Sequence, residues 1–175
     1  MGANPAHTPA DDTSKHGILH LEEYLARELI RSLSAEQKEK AIFSDRAPFN
    51  IMSGTEKTIR QIDSKGIYFS ELDKTQKGML LLLIKLYVKN FENEFATKPM
   101  KKVEREDLNK ITFAWAGGLD PGQGHYYPIL ASSTFIEYDN TQNNSNHVHT
   151  EFRDIKNYFG EDFLLNHYKK SEHHN

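Results

Sequence analysis

Nine histidines and no cysteine stand in this 175-residue chain, so any metal chemistry must run on nitrogen and oxygen ligands. His147 and His149 alternate along His147-Val-His-Thr-Glu-Phe152, a stretch that reads as a β-strand and places both imidazoles on one side of a sheet. Two imidazoles in that relation can reach one ion. His125, at the start of another predicted strand, is expected to join them, with Glu137 or Asp139 completing the set. Such ligands suit zinc, or a two-histidine-one-carboxylate site for iron, manganese or nickel. Glu151 continues the side of His147 and His149 as a further carboxylate. Glu137 and Asp139 also share one side of a strand, which makes them a candidate acid/base pair. Tyr127, Asn140, Gln142 and Arg153 complete the candidate set as substrate contacts. The same residues also have a plainer use, as polar sheet residues hydrogen-bonded to Tyr127, Tyr138 and backbone, or as a water-facing sheet edge.

Several other chemistries are excluded. Without cysteine there is no disulfide framework, no thiolate zinc site and no thiol nucleophile. No Gly-x-Ser-x-Gly elbow occurs, and the glycines at 117, 118, 122 and 124 are followed by no Lys-Ser/Thr, so they form no phosphate loop. A net charge of −3 argues against a nucleic-acid backbone as partner. The longest apolar run, Met79 to Ile84, is far short of the roughly 20 residues a membrane span needs. No apolar signal core opens the chain, which makes it cytoplasmic by default.

The elements that must position these residues follow from periodicity. Leu21, Leu25, Leu29 and Leu33 recur at i, i+4, predicting a helix over 21–33 with Glu22, Glu23, Arg27 and Arg31 facing water. Ser34-Ala-Glu-Gln37 is a capping box that starts a short helix toward Ile42, and Asp73-Lys-Thr-Gln76 opens a long one to about Phe91. That long helix is apolar nearly all round, so Leu80, Leu83, Ile84, Tyr87 and Phe91 are expected in the core. The two starts share Leu, a capping residue, Gln and Lys at matching positions. Residues 43–69 read as mostly irregular, and Thr97 with Pro99 starts another short helix. The period then changes to two, with strands at about 111–115, 125–130, 134–139 and 147–152 in an antiparallel meander, before a helix over 161–168. The expected plan is one α+β domain over 17–169, buried helices on a small antiparallel sheet, between a flexible lead-in at 1–16 and a tail at 170–175.

Phe113-Ala-Trp-Ala-Gly117, His125-Tyr-Tyr127, Glu137-Tyr-Asp-Asn-Thr-Gln-Asn143, Asn146-His-Val-His149, Arg153-Asp154, Phe159-Gly160, Asp162 and His167-Tyr168 stand in this order. Together with Gly2-Ala-Asn-Pro-Ala6 they resemble the family called domain of unknown function thirty-five hundred. The resemblance implies no established activity, substrate or cofactor. It implies that this chain corresponds to the C-terminal half of a protein about twice as long, with an upstream sibling segment. Two functional readings follow. One is a metal-dependent, small-molecule-binding enzyme with His125, His147 and His149 around a divalent ion (zinc, iron or manganese) and Glu137 or Asp139 as ligand or base. The other is a non-catalytic interaction or structural domain. The apolar helix also predicts a homodimer, or a surface that the sibling segment covers.

Overall fold

The computed structural model describes residues 2–6, 19–52, 66–92 and 107–154. Three helices and eight strands form an α+β fold: β1 Gly2–Ala3, α1 His20–Ser32, α2 Ala35–Ala41, β2 Ile42–Ser44, β3 Ile67–Tyr68, α3 Lys74–Glu92, β4 Thr112–Phe113, β5 Trp115–Gly117, β6 His125–Leu130, β7 Thr134–Gln142 and β8 His147–Asp154. The sheet runs β1-β8-β7-β6-β4-β3, with β5 also on β6 and β2 on β5. Every pairing is antiparallel except β2–β5.

Both capping boxes form as expected. Ser34 accepts from the Gln37 backbone and Asp73 from that of Gln76, and each glutamine side chain reaches back to its capping residue. The repeat seen in sequence closes on itself. Gln37 and Gln76 bond each other amide to amide at 3.0 and 3.1 Å. This ties the start of α2 to the start of α3.

Leu80, Leu83, Ile84 and Tyr87 are buried as expected, while the side chain of Phe91 lies outside the described residues. Leu82 of the same helix is 53% exposed, so α3 is not covered on all sides.

Helix α1 turns differently from its predicted orientation. Leu21 and Tyr24 are 57% and 51% exposed, whereas Glu22 and Arg27 are 4% exposed. The reason is that polar partners meet these groups inside: Asn90 of α3 donates to the Glu22 carboxylate at 2.7 Å, and Arg27 donates to the Asp120 carbonyl and to Glu23, which holds the charges at acceptable cost. Of the face predicted for water, Arg31 alone is exposed, paired with Asp120 at 2.6 Å.

Other boundaries also shift. The lead-in begins as a strand, since Gly2 and Ala3 pair with His149 and Val148, and Ala6 is buried in the core. The strand expected at 111–115 is two short ones broken at Ala114. The stretch read as irregular from 43 to 69 takes in the end of β2 and all of β3. The start signals at Thr97 and Pro99, the helix over 161–168 and the tail at 170–175 lie outside the described residues.

Candidate active site

The two-residue turn at Ser132-Ser133 fixes everything that follows. Leu130 faces Phe135 across it, so His125 faces Asn140 and Tyr126 faces Asp139. On the next pair Asp139 faces His149 and Tyr138 faces Thr150. Facing residues share a side of the sheet and neighbours along a strand do not. His125, Tyr127, Tyr138 and Asn140 therefore point to the helices. Tyr126, Glu137, Asp139, His149 and Glu151 point to the opposite side. The expected triad of His125, His147 and His149 does not converge, because the sheet itself stands between His125 and the other two. Among the described residues no three His, Asp or Glu side chains come together closely enough to hold a metal ion.

On the helix side, the β5–β6 hairpin delivers His125. Gly117 turns it at a φ of 94°, where a Cβ would meet the Gly124 carbonyl at 2.3 Å. The His125 ring is stacked on Trp115 at 4.9 Å and on Tyr138 at 5.3 Å between centroids. Its Nδ1 lies 3.0 Å from the Gln123 carbonyl and 3.2 Å from Arg27 Nη2. Arg27 donates to the Asp120 carbonyl at 2.7 Å and to Glu23 at 2.8 Å, so it clamps the hairpin to α1. Tyr138 donates to the other Glu23 oxygen at 3.3 Å. Tyr127 donates to the Glu22 carbonyl and so accepts from Tyr87, at 2.7 Å. Burial pushes His125 down to about 4; the nearby Glu23 opposes this and Arg27 adds to it. The ring is neutral, and its Nε2 and the Asn140 Oδ1 across from it have no hydrogen-bond partner. Tyr127, expected as a substrate contact, belongs to this enclosed network, and Asn140, expected likewise, is buried on the same side.

On the other side, a strap of chain crosses β7. Thr141 and Gln142 both donate to the Phe49 carbonyl at 3.1 Å, and Gln142 also donates to Asn50. Three residues on from Phe49, the Met52 amide donates to Glu137 at 2.9 Å. Tyr126 donates to the same Glu137 oxygen at 3.0 Å, and Phe43 packs edge-on against the Tyr126 ring. Asn50 and Ile51 lie between these anchors, and on β7 Asp139 lies between them too.

Asp139 is 1% exposed, and neither of its carboxylate oxygens has a hydrogen-bond partner. Burial pushes its carboxyl up to about 7; the nearby Thr141 hydroxyl, whose proton goes to the Phe49 carbonyl rather than to the carboxylate, offsets part of this, and the Glu137 charge adds to it. At the rim, Arg153 and Glu151 form an ion pair, and the Nε2 atoms of His147 and His149 stand 2.7 Å apart. Burial, then the His147 charge, lowers His149.

The structure thus brings Glu137, Asp139, His147, His149 and Arg153 to one side of the sheet, with Gln142 holding the strap. Sequence reasoning missed Tyr126, which the alternation past His125 could have placed there. It also missed Arg27, Glu23 and the strap, whose partners are about 90 residues away and leave no local signal.

The model of one protein family, described as protein of unknown function (DUF3500), matches residues 1–161. No curated protein and no solved structure matches the chain. Among the described residues, no helix is long and apolar enough to cross a membrane.

Proposed function

Given that the chain belongs to the DUF3500 family of proteins of unknown function, we propose that the strap side of the sheet binds a small molecule and transfers a proton to or from it through Asp139. One observation carries this reading: a buried carboxylate whose two oxygens both lack a partner. Leaving such a group unpaired costs about 1–3 kcal/mol or more. A fold that has found partners for Glu137, Glu22 and Glu23 has left this one open. The missing partner is then a ligand group bearing N–H or O–H. An acid held near neutrality by its surroundings can give or take a proton in that contact. Glu137, fixed by Tyr126 and Met52, is the second carboxylate of the pair and positions the strap over the ligand.

The test is a ligand-observed NMR screen of small amines and polyols against the wild-type chain and Asp139→Asn. Ligands should be found for the first and lost with the second, while the ligand-free variant melts higher. A variant that melts lower and keeps its ligands would make Asp139 a structural residue.

A second reading concerns partners. Leu21, Tyr24 and Leu82 are each more than half exposed on the helices, which favours a homodimer through that side. Light scattering that finds only a 20.2 kDa species at high micromolar concentration would reject it.

A further inference from the structure

We infer that His147 and His149 chelate a single divalent transition-metal ion of the zinc and copper class, at the rim of β8 beside Asp139. The inference stands apart from the proton-transfer reading, because it needs only the two imidazoles and no carboxylate.

The geometry comes from the strand. Alternate residues of β8 project to the same side, and here the two rings lie 4.3 Å apart with their planes tilted by 60°. Their Nε2 atoms converge to 2.7 Å. Two neutral imidazoles can sit so close only if one of them gives its N–H to the other, since two facing lone pairs repel. An ion placed between the lone pairs removes that conflict. Metal–nitrogen bonds of about 2.0–2.1 Å, opening at 90–110°, hold the nitrogens about 2.9–3.4 Å apart. The rings therefore need to part by only about half an ångström, within the reach of small side-chain rotations. Both rings are half-buried at the rim, so an ion can enter from solvent without opening the core.

Two protein ligands leave the remaining coordination positions to water or to a bound molecule, as in open catalytic sites rather than closed structural ones. Imidazole nitrogen selects borderline ions, so the expected order is copper above nickel and zinc, with magnesium and calcium excluded.

The test is calorimetric titration of the chelator-stripped full chain with ZnCl2 and CuCl2, with paramagnetic resonance of the copper form. Other histidines in this nine-histidine chain add weak sites, so the readout is the tightest one. It should show coupling to two imidazole nitrogens and resist competition by excess Mg2+ or Ca2+. His147→Ala and His149→Ala should each weaken it by about tenfold or more, and the double replacement should remove it. Gln replacements that melt like the wild type and behave alike keep the result independent of folding. Asp139→Asn should retain the two-nitrogen signature while losing the organic ligands of the proton-transfer reading. A tightest site unchanged in both single variants overturns the inference. So does an ion lost from Asp139→Asn but kept by the histidine variants.

Discussion

Two sides of one sheet, one residue apart in the chain, differ in how they treat buried polarity. Asn140 and His125 face the helices, where Arg27, Glu23, Tyr138 and the Gln123 carbonyl enclose the imidazole in rings and hydrogen bonds. The His125 Nε2 and the Asn140 Oδ1 stay unpaired there, each a single atom of a neutral group, whereas Asp139 on the strap side is a carboxylate with neither oxygen paired. The helix side uses its polar groups to fix position: Arg27 locks the hairpin to α1, and α1 in turn covers the sheet. The strap side keeps one group uncommitted under a short length of irregular chain. Packed networks of paired groups rigidify a fold, whereas an orphaned one is a cost that function can explain. That contrast locates the site more firmly than the identities of the residues do.

The largest effect should come from breaking the helix side. Arg27→Ala leaves the half-buried Glu23 without its cation and frees the hairpin, so it should cost about 3–5 kcal/mol, measured by urea unfolding. A loss below about 0.5 kcal/mol, as for a surface residue, would mean the clamp carries nothing.

Next in size is a pH effect with opposite signs on the two sides. His125 titrates near 6.5 when unfolded and near 4 in the fold, so the unfolded chain binds more protons between these values. Its contribution is complete above about 6.5 and is lost as pH falls toward 4, by about 3 kcal/mol in all. Asp139 is raised from 3.8 to about 7, so the fold binds the extra proton over the same window, and stability is lost as pH rises. In the wild type the two slopes oppose each other between pH 4 and 7. Asp139→Asn removes one of them. With chelator present, its stability should therefore fall with acid more steeply than that of the wild type. Parallel profiles would show that Asp139 takes up no extra proton in the fold over this window.

Much of this was legible in the sequence, and the rest was hidden for physical reasons. Capping boxes are local, so Ser34 and Asp73 announced α2 and α3 correctly. The period-two stretches gave the strands. The side of the sheet on which His125 lies was also available: a two-residue turn at Ser132-Ser133 forces His125 opposite Asn140, and the alternation then separates it from Asp139 and His149. The charged stripe of α1 could not be read, because exposure is the ordinary fate of Glu22, Glu23 and Arg27, and only partners distant in sequence reverse it. The strap has no period at all. Its position is set by Gln142 and Glu137, which capture backbone groups that a sequence pattern does not show.

A smaller gain tests the open side directly. Replacing the orphaned carboxylate of Asp139 by the neutral amide of asparagine removes a buried charge without changing shape. It should stabilise the ligand-free chain by about 1–2 kcal/mol at pH 8, where the wild-type acid is ionised. The gain should shrink toward pH 5, where that acid is protonated in the fold. A gain that does not vary with pH would come from something other than the charge.

The smallest effect on stability should come from the strap, and it separates the two sides most sharply. Gln142 holds the Phe49 carbonyl and the Asn50 side chain through solvent-exposed bonds, and exposed neutral hydrogen bonds contribute little because water replaces them. Gln142→Ala should therefore cost less than about 1 kcal/mol, well below the expected loss for Arg27→Ala. Its effect on the site should be larger than its effect on the fold. With one anchor of the strap gone, water reaches Asp139, burial no longer raises its carboxyl as far, and its titration midpoint moves down from about 7 toward the ordinary carboxylate range. Carboxyl-detected NMR titration of the variant reads that shift directly. If the Asp139 midpoint stays in place while the strap loosens, the strand side chains rather than the strap keep the site dry, and residues 49–52 only pass over it.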